Sequence, residues 1–105
     1  MMKRVGFAMQ LMPGRVREYR RRHNEIWPEL VKELEAAGVR DYVIYFDPRS
    51  NTLFASQKLT GDNSAELLPG REIVKKWWDS MADLMETHAD NSPVVYDLEE
   101  VFYME

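Results

Sequence analysis

With 105 residues, 14 basic and 18 acidic side chains and a formal net charge of −4, the chain has room for one domain, expected over residues 1–105, and carries the wrong sign for nucleic acid or an anionic membrane as a bulk partner. It contains no cysteine, which removes a disulfide framework, a thiol nucleophile and a thiolate metal site. Its apolar runs are short and the start MMKRVGFAMQ lacks the apolar stretch of a signal peptide, so a soluble cytoplasmic protein is expected.

Residues 3 to 12 alternate, with Val5, Phe7, Met9 and Leu11 on one side and Gly6, Ala8 and Gln10 on the other, the period of a strand with one buried face. Pro13-Gly14 breaks that strand. From Arg15 onward Tyr19, Ile26, Leu30, Leu34 and Ala37 recur at helical spacing until Gly38, which reads as a C-terminal stop. Pro28 lies inside this pattern. A proline there removes one backbone hydrogen bond and clashes with the preceding turn, so the helix is expected to kink or restart.

Residues 39 to 47, VRDYVIYFD, are β-branched and aromatic, and Pro48-Arg49-Ser50-Asn51 forms a turn into TLFASQKL, so the two runs read as a hairpin. TGDNSAELLPG is loop-like with one short helical turn. REIVKKWWDSMADLME then places Ile73, Trp77, Met81 and Leu84 on one stripe of a second helix. The chain turns through DNSPVV and is expected to finish with a strand at LEEVFYM.

The order β-α-β-β-α-β predicts the α+β class: a ferredoxin-like, four-stranded antiparallel sheet with both helices on one face. The other face must also be covered. In the second strand Tyr42, Ile44 and Phe46 alternate with Val43 and Tyr45, so both faces carry large apolar side chains. A domain of this size buries only about two thirds of its unfolded surface. Two sheets packed face to face would form a dimeric α+β barrel, and a homodimer is expected.

Tyr19 and His23 are four residues apart and share a helical face that continues toward Trp27 and Leu30. His23 is either an acid/base residue of near-neutral pKa or a helix-face histidine bonded to a neighbour. Trp77 and Trp78 diverge by about 100° around the second helix. Indole with tyrosine makes a common lining for a neutral polyol, although such rings also serve as packing; Tyr42, Tyr45, Tyr96 and Tyr103 leave the same two readings open. The run RVREYRRRH lacks a glycine-rich phosphate cradle, and Glu18 and Glu25 balance its arginines, so it reads as a solvated face. His23 and His88 are the only histidines and neither has metal-ligand spacing around it, so no metal or cofactor is expected.

Taken together and in order, EYRRRHNEIWPEL, DYVIYFD, KWWDSMADLME and DNSPV followed by LEEVFYM resemble the L-rhamnose mutarotases over nearly the whole chain. The resemblance implies a homodimeric α+β barrel in the cytoplasm that interconverts the α and β anomers of L-rhamnose without metal or organic cofactor. It implies His23 as proton donor, and Tyr19, Tyr42, Trp77 and Trp78 as sugar-binding residues. The sequence departs from the family at Glu25, where proline is expected, and in NSAELLPG, which lacks an expected tryptophan.

Mutarotation needs two proton transfers: the ring oxygen gains a proton and the anomeric hydroxyl loses one, after which the free aldehyde turns about C1–C2 and recloses. His23 can serve the ring oxygen, and Tyr19, Tyr42 or a water the anomeric hydroxyl. Two other readings fit the same architecture: a haem-dependent or cofactor-free oxygenase, and a non-catalytic sugar-binding module.

Overall fold

The structure, a computed structural model, describes residues 2–105. In chain order it contains β1 (Lys3–Gln10), α1 (Val16–Asn24), α2 (Pro28–Ala36), β2 (Val39–Asp47), β3 (Thr52–Leu59), α3 (Glu72–Met81) and β4 (Tyr96–Leu98). Short 3-10 turns occupy Ala65–Gly70 and Ala82–Leu84. The sheet order is β2-β3-β1-β4 with every neighbouring pair antiparallel, the ferredoxin-like α+β arrangement expected from the element order.

The first helical stretch is two helices. Pro28 is the first residue of α2, a position whose N–H has no helical acceptor in any case, and Trp27 before it is extended (φ −66°, ψ 129°), as a residue preceding proline prefers. The proline therefore restarts the helix rather than kinking it, and it does no damage there. Glu25, in place of the expected proline, donates its N–H to the Arg22 carbonyl at 3.2 Å, a bond proline could not make. At the far end of α2, Gly38 has φ 94°, and a Cβ there would collide with Thr60 and Asn63. Only glycine fits this stop.

Paired residues of neighbouring strands share a face, so the register separates the two sides of the sheet. Met9 pairs with Leu53 and Leu53 with Phe46; Phe7 pairs with Ala55 and Ala55 with Ile44. This side packs on Tyr19 of α1 and on Met81 and Trp77 of α3, with Leu11, Leu84 and Met85 closing the core. The opposite side carries Tyr45, Phe54 and Tyr96 in one cross-strand row and Val43, Gly6 and Leu98 in the next. The large apolar side chains of those rows remain exposed in the single chain.

The last strand is not where the composition of LEEVFYM places it. β4 covers Tyr96–Leu98 and pairs with β1 through Ala8, Phe7 and Gly6; residues 99–105 form no strand. Val101, Phe102 and Met104 lie beyond the last pairing with β1 at Leu98 and are more than three quarters exposed. Among the described residues the tail is tethered by Arg4, whose guanidinium lies 3.0 Å from Glu100 and 3.4 Å above the Tyr103 ring. Among the described residues no helix is long and apolar enough to cross a membrane.

Candidate active site

α1 is only nine residues long, too short to persist alone in water. Glu18 bridges it internally to Arg21 and Arg22, and buried Tyr19 anchors it to the core. One turn after Tyr19 comes His23, and the two rings stack with centroids 4.3 Å apart. His23 Nδ1 lies 3.1 Å from the Tyr19 carbonyl oxygen. A carbonyl can only accept, so Nδ1 carries the proton and the lone pair of the neutral ring sits on Nε2.

From α3, the Trp77 indole meets the His23 ring edge to face at 5.3 Å, and Trp27 meets Trp77 in the same manner at 5.1 Å. From β2, Tyr42 leans on Phe7 at 6.3 Å. Tyr19, His23, Tyr42, Trp77 and Trp78 all line one cleft of about 1360 Å³ between the helices and the sheet. The structure thus brings together all five residues singled out from the sequence. Leu68 and Pro69, in the loop that lacks the expected tryptophan, also line it, as do Ile44 and Phe46 on its apolar floor.

Burial lowers the His23 pKa below its ordinary 6.5, and the bond to the Tyr19 carbonyl opposes the shift only in part. His23 is therefore neutral at neutral pH. Burial raises the Tyr19 phenol, with the nearby Tyr42 hydroxyl adding to the effect. Tyr42 is 42% exposed as a residue, yet the protein atoms crowding its hydroxyl push its pKa up to about 12. Both phenols stay protonated and can donate hydrogen bonds.

Sequence reading missed Arg22. Its guanidinium reaches from α1 to the end of α3, where Nη1 donates to the Ser80 carbonyl at 2.6 Å and to Asp83 Oδ1 at 2.8 Å, while Nε donates to Glu18 at 2.8 Å. Arg22 fastens the helix carrying His23 to the helix carrying Trp77. The basic run predicted to be a solvated face is one only in part, and Asp83 lies too far along the chain for the pair to be visible beforehand. Trp27 differs as well. α1 ends before it, so it packs against Trp77 instead of continuing the Tyr19–His23 face toward the sheet. His88 borders the same cleft, and among the described residues no group of three His, Asp or Glu side chains converges on a metal position.

A protein-family model described as L-rhamnose mutarotase matches residues 4–104. The L-rhamnose mutarotase of Phocaeicola vulgatus is 53% identical over 99% of this chain and all of that protein. That of Formosa agariphila is 51% identical over 99% of this chain and all of that one. A crystal structure of L-rhamnose mutarotase from Formosa agariphila, 51% identical, superposes with a TM-score of 0.91, covering 98% of this chain and 99% of that one.

Proposed function

The chain belongs to the L-rhamnose mutarotase family, and on that basis we propose that it converts the anomers of L-rhamnose by proton exchange at His23. The reaction is an isomerisation between α and β anomers of the sugar. The observation that carries the role of His23 is its setting. Nδ1 is committed to the Tyr19 carbonyl, the ring is held between Tyr19 and Trp77, and Nε2 is the nitrogen left to serve a ligand in the cleft.

As imidazolium, His23 gives its Nε2 proton to the ring oxygen while the C1–O5 bond breaks and a water in the cleft takes the proton of the C1 hydroxyl, leaving C1 as the aldehyde. After rotation about C1–C2 the steps reverse, and His23 recovers its proton. Tyr19 and Tyr42 hold sugar oxygens as hydrogen-bond donors, and Trp77 and Trp78 offer indole faces to the C–H side of the ring. Two proton transfers close the cycle, so the chemistry calls for no metal or organic cofactor. Positioned acid/base groups contribute about 10²–10⁴ in rate, a useful margin over spontaneous mutarotation. The neutral Nδ1–H tautomer supports a second order of events, in which Nε2 first takes the C1 hydroxyl proton and water or a phenol serves the ring oxygen.

Anomer exchange of L-rhamnose followed by saturation-transfer NMR tests the proposal. His23→Ala is expected to remove the enzymatic component and keep the fold; unchanged exchange would take His23 out of the mechanism. The pH profile separates the two orders. Donation first gives a rate that falls as pH rises through a His23 pKa below 6.5, and proton abstraction first gives a rate that falls as pH drops through it.

A homodimer in the cytoplasm belongs to the same proposal. The exposed row of Tyr45, Phe54 and Tyr96 and the apolar side chains at 101–104 support a second copy as the cover of the open sheet face.

A further inference from the structure

We propose that Asp41 is a positioning residue whose left-handed backbone, by building a bulge into β2, delivers Tyr42 to the sugar cleft. The inference rests on reading Tyr42 as a sugar contact. Val39 pairs with Leu59, and Ile44 pairs with Ala55. From Leu59 to Ala55 the step on β3 is four residues, whereas from Val39 to Ile44 on β2 it is five, so β2 holds one extra residue. The irregularity lies between Arg40 and Val43, where Asp41 and Tyr42 together stand opposite Gln57. Asp41, Tyr42 and Gln57 all line the cleft.

The extra residue decides parity. Strand side chains alternate, so an unbroken β2 that kept Val39 in the core would turn Tyr42, Ile44 and Phe46 to the open face and bring Val43 and Tyr45 inward. Val39 is in fact buried at 5% exposure, and Tyr42 still reaches Phe7 on the helix-covered face. Both placements coexist because the bulge absorbs one residue. Asp41 has φ 47°, a conformation that aspartate, asparagine and glycine adopt far more readily than a β-branched side chain. Its carboxylate meets Lys58 at 3.3 Å, both side chains being largely exposed. The backbone, rather than this ion pair, is the device.

The test compares Asp41→Gly, Asp41→Asn, Asp41→Ala, Asp41→Val, Lys58→Ala and Tyr42→Ala by the sugar-concentration dependence of anomer exchange and by the nuclear Overhauser effect between the Tyr42 and Phe7 rings. Asp41→Gly, Asp41→Asn and Lys58→Ala should keep the wild-type KM and the ring-to-ring signal. Asp41→Val should raise KM about fivefold to thirtyfold, the ratio equivalent to the left-handed penalty of an L residue, toward the value of Tyr42→Ala, and should abolish the signal between the rings. Asp41→Ala should fall between them and remain informative if Asp41→Val does not fold. If Tyr42→Ala raises KM while Asp41→Val and Asp41→Ala do not, the positioning inference fails and the Tyr42 reading stands. If Tyr42→Ala leaves KM unchanged, both fall. If Asp41→Gly or Asp41→Asn behaves like Asp41→Val, charge rather than conformation is at work and the inference is overturned.

Discussion

The two sides of the sheet are written in the same strands, one residue out of phase, and they have opposite fates. On the covered side Leu53 is 1% exposed in the middle of the core, and on the open side its chain neighbour Phe54 is 38% exposed with Tyr45 and Ala8 as its cross-strand neighbours. The covered side has enough helix above it to make a core at one end and a cleft at the other, with His23 hung from α1 and Trp77 from α3. The open side has comparable apolar character and stays exposed in the single chain. Apolar patterning therefore says that a face will be buried, while the identity of its cover depends on what else the chain can bring there.

Substituting the two chain neighbours should separate the sides most strongly. Leu53→Ala should cost about 2–5 kcal/mol of stability in chemical denaturation, as expected for a fully buried leucine whose site cannot collapse. Phe54→Ser should cost the isolated fold far less and act instead on self-association, seen as a smaller sedimentation coefficient at equal protein concentration. Equal loss of stability from both would mean that the open face is packed within one chain.

Arg22 tests the covered side at the end that holds the cleft. Arg22→Ala and Asp83→Asn are expected to lower kcat by roughly tenfold with a smaller change in KM, because the clamp sets where α1 holds His23 relative to α3. The two effects should add only in part, since both variants remove the Arg22–Asp83 contact. Fully additive losses, or a change in KM alone, would separate Arg22 from the placement of His23.

The smallest effect concerns stability against pH. The His23 pKa is lowered in the folded state, so burial of the neutral ring favours folding fully above the unfolded value of 6.5, and this contribution disappears as pH falls through the folded pKa. Wild-type melting temperature should therefore drop in mildly acidic solution by more than that of His23→Gln. The carboxylate of Glu18, held at about 2 by hydrogen bonds from Arg21 and Arg22, titrates well below this window and does not confuse it.

Much of the fold was legible because its signals are local. The alternation of Val5, Phe7, Met9 and Leu11, the turn at Pro48 to Asn51 and the glycine stop at Gly38 each depend on a few neighbouring residues. Among the site residues, Tyr19 and His23 could be paired from their spacing alone. LEEVFYM misled for the same reason: its composition favours a strand, but a strand also needs a hydrogen-bonded partner, and the ladder between β1 and β4 stops at the Gly6–Leu98 pair. Trp27 was misplaced because a continuous helical period was read through a position where the chain becomes extended before Pro28.

Which residues prefer strand or helix, where the helix had to restart, and which aromatic and histidine side chains were available for a sugar all follow from the chain's own order of residues, since backbone sterics and side-chain chemistry act within a turn or two. That Arg22 would meet Asp83, that Trp77 would stand edge-on to His23, and that one extra residue in β2 would set Tyr42 on the same side as Val39 was settled only when the segments packed together. Those outcomes depend on contacts and strand register between segments far apart in the chain, where local propensity leaves several pairings open and packing selects one.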